Sequence, residues 1–295
     1  MTRKVAFAFG LAALLTAAGL VAAAGDARLA SAAKSRDMTA MRSLLKQRVD
    51  VNSTDAEGMT ALHWAAHWEN FDAVKLLLGA GANARAANRY GVTPLHEAST
   101  AGNAAIMEAL LKAGANPNAA YGSGETPIMT ASRTGKAEAV KLLLDYKAEV
   151  NAAEEFRGQT ALMWASGENH APVVRLLVDR GANVNAKSIV YDFQSLQGTN
   201  GGIIHDRPMG GLTAMHFAAR QGALESGQVL IAAGADMNAA EPQYGFTPMQ
   251  TALFNGKYDF AAMLVNKGAD VNDGSLYIAT EMRKSCDLQQ PAEPA

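Results

Sequence analysis

Six histidines and one cysteine are the side chains of this 295-residue sequence best suited to metal or nucleophilic chemistry. His63 and His67 stand four apart, a spacing that sets two imidazoles on one helical face for a divalent metal. No third ligand is evident beside them, so the pair reads as structural and no metal site is expected. Cys286 has no plausible base near it in sequence. A single thiol can make neither an internal disulfide nor a cysteine-based zinc site. His205-Asp206-Arg207 holds acid–base residue types, yet its glycine-rich surroundings read as an exposed polar turn. There is no Gly-x-Ser-x-Gly elbow, His-Glu-x-x-His helix, phosphate loop or dinucleotide fingerprint. Gly122-Ser123-Gly124 is the tip of a hairpin rather than a phosphate cradle. The chemistry-bearing residues thus point to a protein that binds without catalysis and without a cofactor.

Three of the histidines recur in one short motif, which leads back to the elements that hold them. Thr60-Ala61-Leu62-His63 is echoed by Thr93-Pro94-Leu95-His96 and Thr126-Pro127-Ile128-Met129. It returns as Thr160-Ala161-Leu162-Met163, Thr213-Ala214-Met215-His216 and Thr247-Pro248-Met249-Gln250. The threonines are 33, 33, 34, 53 and 34 residues apart, so the long interval is one repeat plus an insertion of about 20 residues. A second marker keeps the same rhythm: Gly81-Ala82-Asn83, Gly114-Ala115-Asn116, Gly181-Ala182-Asn183, Gly234-Ala235-Asp236 and Gly268-Ala269-Asp270. Lys147-Ala148-Glu149 fills the remaining slot without its glycine.

Each marker has a physical task. The threonine hydroxyl accepts an otherwise orphaned amide at the start of a helix. Pro94, Pro127 and Pro248 suit the first helical position, where no N–H is needed. A second helix ends in apolar pairs, Leu77-Leu78, Leu110-Leu111, Leu143-Leu144 and Leu177-Val178, with Val74, Met107, Val140 and Val174 on the same face. Lys147 must then take a left-handed conformation at a cost of roughly 1 kcal/mol. Gly227 replaces the valine-type residue of its repeat, which predicts weaker helix propensity and weaker packing there. The third and fifth full repeats are accordingly expected to be the least stable.

This pattern resembles the ankyrin repeat over residues 26–285. The resemblance implies an all-α solenoid of stacked antiparallel helix pairs with short β-hairpin-like loops. It divides the chain into a signal segment 1–24, a capping repeat 26–54 and full repeats 55–87, 88–120, 121–154 and 155–187. An inserted loop 188–209 and repeats 210–241 and 242–273 follow, then a partial repeat 274–285 and a disordered tail 286–295. The final unit stops halfway, as a piece of a longer array would. The family's turn histidine, here His63, His96 and His216, is implied to tie neighbouring repeats together. Partners of such arrays dock on the hairpin fingers and the concave side. Carried over, that side holds Trp64, His67, Trp68, Arg89, Tyr90, Arg133, Phe156 and Arg157, then Trp164, Arg220, Tyr244, Phe246 and Phe254. Aromatics beside arginines are the types enriched at binding hot spots. Trp64, Trp164 and Phe217 border the groove, and Trp64 and Trp164 equally suit packing between repeats.

The insertion brings Tyr191, Phe193, His205 and Arg207 around three glycines and an Asn200-Gly201 turn signal. It should enlarge one hairpin finger, either as part of the partner site or as a spacer. At the N-terminus, Arg3 and Lys4 precede an apolar run from Val5 to Val21 and the small residues Ala22-Ala23-Ala24. That is the layout of a cleavable secretory signal, cut after Ala24, with an uncleaved anchor as the alternative. The expected location is periplasmic or secreted, with no membrane insertion after cleavage. The formal charge of −2, with no Lys/Arg run, argues against nucleic acid as partner. The reading is a monomeric protein-interaction scaffold, or, on the same surface, a secreted effector of host proteins. A metal-dependent enzyme is the least favoured alternative.

Overall fold

The computed structural model describes residues 26–191 and 209–280. The expected signal segment, Phe193, His205, Arg207 and Cys286 lie outside the described residues.

Fourteen helices form seven antiparallel pairs among the described residues. The pairs are α1 (Arg28–Lys34) with α2 (Met38–Lys46), α3 (Ala61–His67) with α4 (Phe71–Gly79), and α5 (Pro94–Ala101) with α6 (Ala104–Lys112). Next come α7 (Pro127–Arg133) with α8 (Ala137–Asp145) and α9 (Ala161–Gly167) with α10 (Ala171–Asp179). The last two are α11 (Ala214–Gln221) with α12 (Leu224–Ala232) and α13 (Pro248–Phe254) with α14 (Tyr258–Asn266). Residues 275–280 begin one more helix.

Helices this short are unstable alone, so their faces must be buried against neighbours. First helices stack on first helices from α1 through α13, and second helices stack from α4 through α14. Leu77, Leu110, Leu143, Leu177, Leu230 and Leu264 repeat at one position and are fully buried, forming a spine through the second-helix row. Each contributes roughly 2 kcal/mol relative to an exposed leucine. The first pair covers the open end of this core through Leu29, Ala33 and Met41.

The insertion leaves the stack unbroken. α9 packs directly on α11, although 53 residues separate Thr160 from Thr213. The loop leaves and rejoins through two short antiparallel strands, β1 (Val190–Tyr191) and β2 (Met209–Gly210), with Val190 opposite Gly210 and Tyr191 opposite Met209. The two described ends of the insertion therefore pair with each other beside the row of fingers.

Two departures from the sequence pattern resolve differently. Lys147 takes φ +69°, left-handed like its glycine counterparts at 81, 114, 181, 234 and 268, which lie between +82° and +92°, so the expected strain is present. The expected packing defect at Gly227 is not. A Cβ there would lie 2.6 Å from Cε2 of the fully buried Phe260 ring, so the ring occupies the space that glycine leaves. Only the loss of helix propensity remains against the fifth repeat.

Candidate functional site

Four of the fingers are built by one device. Asp55 accepts hydrogen bonds from the amides of Glu57 and Met59 at 3.0 and 2.9 Å, and Asn88 does the same for Tyr90 and Val92. Glu154 accepts from Phe156, Arg157 and Gln159, and Glu241 from Gln243, Tyr244 and Phe246. Turn amides that would be orphaned are thus satisfied by a side chain at the finger base. The sequence carries the signal for these residues, although the repeat markers alone pass over them. Asp55 and Asn88 lie five residues before the turn threonine, whereas the longer glutamates Glu154 and Glu241 lie six before it. The extra methylene spans the extra residue. Successive fingers are linked by Arg89 N–H to the Glu57 carbonyl at 3.3 Å, Gly122 to Tyr90 at 3.3 Å and Glu155 to Ser123 at 2.6 Å. Ile189 then donates to the Arg157 carbonyl at 2.8 Å, carrying the row onto β1.

Below the fingers the turn motif locks each first helix. Nδ1 of His63 accepts from the Thr60 amide at 3.1 Å, and its Nε2 lies 3.0 Å from the carbonyl of Val92 in the next repeat. With Nδ1 accepting, Nε2 carries the proton and donates. His216 repeats this with Thr213 and the Phe246 carbonyl. His63 therefore has both ring nitrogens engaged by protein. Gln250 imitates the imidazole, accepting from the Thr247 amide and donating to the Asp273 carbonyl. His96 keeps the local half, with Thr93, but its Nε2 has no hydrogen-bond partner among the described residues; its ring meets Tyr121 edge-on at 4.7 Å. Burial pushes all three imidazoles below their ordinary value, His96 to about 4. Thr60, Thr93, Thr160 and Thr247 cap their helices through the hydroxyl. Thr126 departs from that expectation: the Met129 amide bonds to its carbonyl at 3.0 Å, and its hydroxyl is buried without a partner.

The surface residues singled out by the sequence fall into three groups. At the N-terminal end, Trp64 and Trp68 stack at 6.5 Å with His67 between them, and Lys34 and Arg36 lie over their rings. Both indoles are held by the protein, Trp64 donating to Asp55 at 2.9 Å and Trp68 to the Lys34 carbonyl at 3.1 Å. Partial burial opposes ionisation of Asp55, yet the Trp64 indole, the two turn amides and Lys34 together hold its pKa below the ordinary value. His67 pairs with Glu97 of the next repeat at 2.9 Å. This end is packed as well as exposed.

In the middle, Arg133, Phe156, Arg157, Trp164 and Arg220 converge, joined by Tyr191 of β1. Arg133 lies over Trp164 at 4.8 Å, Arg157 over Phe156 at 5.6 Å and Arg220 over Phe217 at 5.1 Å. At the C-terminal end Tyr244, Phe246 and Phe254 form a chain of rings 5.6 and 5.8 Å apart. Arg89 and Tyr90 sit on the second finger, where Tyr90 is 69% exposed.

A family profile described as "Ankyrin repeats (3 copies)" matches residues 29–121, 118–188 and 191–275. The chain belongs to the ankyrin-repeat family. Ankyrin repeats indicate a protein-interaction scaffold, and members of the family are typically non-catalytic. Among solved structures, the human ASB11 ankyrin repeat domain is similar in fold, with a TM-score of 0.66 and 24% identity. The match covers 82% of this chain and 98% of that one. No curated protein sequence matches the chain. Among the described residues, no helix is long and apolar enough to cross a membrane, and no group of three or more metal-ligating side chains occurs.

Proposed function

We propose that this ankyrin-repeat protein is a non-catalytic scaffold that binds a protein partner along its fingers and first helices, and that it acts after export to the periplasm or beyond. The observation that carries the reading is the row of exposed aromatics on hydrogen-bonded fingers: Tyr90 at 69%, Phe156 at 60% and Tyr244 at 55% exposure. Rings held out on a preformed frame lose little conformational freedom on binding, so their buried area converts efficiently to affinity. The basic, apolar and small-residue layout of residues 1–24 supports export.

Trp64 and Trp68 are tied into the capping pair, so a clean test leaves them in place. Affinity capture from a periplasmic extract should recover a partner with the wild-type chain and lose it with Tyr90→Ala/Phe156→Ala/Tyr244→Ala. A triple variant that stays folded and captures the same proteins would remove the fingers from the interface. Export is tested by N-terminal sequencing of the protein from the periplasmic fraction, where a chain beginning at Gly25 is expected.

A further inference from the structure

The middle of the surface differs from its ends in charge. Arg133 is partnered: its Nη2 lies 3.3 Å from Glu125 Oε1. Arg157 and Arg220 have no carboxylate at ion-pair distance among the described residues, and both are exposed. The nearby acids are mostly committed. Glu154 is buried beneath three turn amides, Glu125 holds Arg133 and the Thr130 hydroxyl, and Glu168 alone stands open at the rim. A guanidinium lying over a ring keeps its N–H edge available for a carboxylate, in a two-pronged geometry that lysine cannot match.

Two hollows meet at these arginines. One, of about 240 Å³, is lined by Arg133, Trp164, Glu168 and Arg220. The other, of about 460 Å³, is mainly apolar, with Phe156, Ile189, Tyr191 and Leu212 in its walls. Arg157, Gln159, Phe217 and Arg220 border both. The apolar wall of the larger hollow is completed by β1, the strand with which the insertion begins.

We propose that this double hollow, in the third to fifth full repeats, receives a protein segment carrying an acidic side chain within a few residues of a large apolar one. The carboxylate bridges Arg157 and Arg220, and the apolar side chain enters the chamber against Ile189 and Leu212. The proposal rests on the interaction reading above and names the chemistry of its partner.

The test is a selection of random twelve-residue peptides displayed on phage against the full chain, followed by affinity measurement with the fluorescein-labelled winners. Enriched peptides should place Asp or Glu within about three positions of Phe, Leu or Trp. Their affinity should fall at least tenfold in Arg157→Ala/Arg220→Ala, and also weaken in Arg157→Lys/Arg220→Lys, which keeps the charge but loses the fork. It should also fall between 50 and 500 mM NaCl, on the order of a Debye-length change from 14 to 4 Å. Thermal melts of the variants verify folding. Winners without acidic residues, or winners equally tight on the Arg→Ala variant, overturn the site. If those winners respond instead to Tyr90→Ala/Tyr244→Ala, the interaction reading stands and only this site falls. If no peptide is enriched, both fall. Enrichment only after residues 192–208 are replaced by a short turn would make the chain's own insertion the occupant and overturn the partner.

Discussion

At the residue scale, one slot shows how position rather than residue type sets chemistry. A histidine is the side chain most ready to titrate near neutrality, yet burial holds His63, His96 and His216 below their ordinary value. The unfolded chain therefore takes up protons first as pH falls. Stability conferred by the neutral imidazoles is full above pH 6.5, declines as pH falls, and for His96 is lost by about pH 4. For His96 the loss is of order 3 kcal/mol. Urea unfolding at pH 7 and at pH 4.5 should show a lower midpoint in acid. Gln250 shows that an amide can do the same capping work without titrating. His96→Gln should narrow the gap between the two pH values by about 2 kcal/mol while costing roughly 1 kcal/mol at pH 7. An unchanged gap would mean that another group governs the acid response.

At the element scale, Gly227 and Phe260 are a matched pair across α12 and α14. Helix propensity alone favours Gly227→Ala by roughly 1 kcal/mol. The added Cβ would meet the Phe260 ring at 2.6 Å and the Met263 Cε at 2.9 Å, and overpacking of this kind costs about 1–3 kcal/mol. The clash should win, so Gly227→Ala lowers the unfolding midpoint. Gly227→Ala/Phe260→Leu should recover most of the loss, since the shorter side chain vacates the contested space. A single variant more stable than wild type would show that the ring yields freely. The fingers follow the same logic of matched lengths, five residues for Asp55 and Asn88 and six for Glu154 and Glu241.

At the scale of the whole molecule, stability is carried by contacts between neighbouring helix pairs. Because α9 packs on α11 and β1 pairs with β2, the array does not depend on residues 192–208 for its continuity. Joining Tyr191 to Met209 through Asn-Gly should leave the fold intact and the melting temperature within about 3 °C, a change of roughly 1 kcal/mol at this size. Collapse of the melt into two separate transitions would show that the insertion holds the two halves together.

The stacking itself was legible because each repeat repeats its own instructions: a threonine to start, an apolar pair to bury, a glycine to end. Those are local rules, and Lys147 shows their strength, since it adopts the glycine conformation its position demands. The insertion's place was legible too, as an interval of 53 among intervals of 33 and 34. What the tertiary structure alone decided were relations between repeats. Sequence spacing cannot show that Phe260 fills the space left by Gly227, or that Trp64 and Trp68 are anchored where Tyr90 is not. Nor can it show that Arg157 and Arg220, 63 residues apart, border one hollow. A repeat's own residues fix its shape, but the surface between repeats is made by side chains that meet only when the units are stacked.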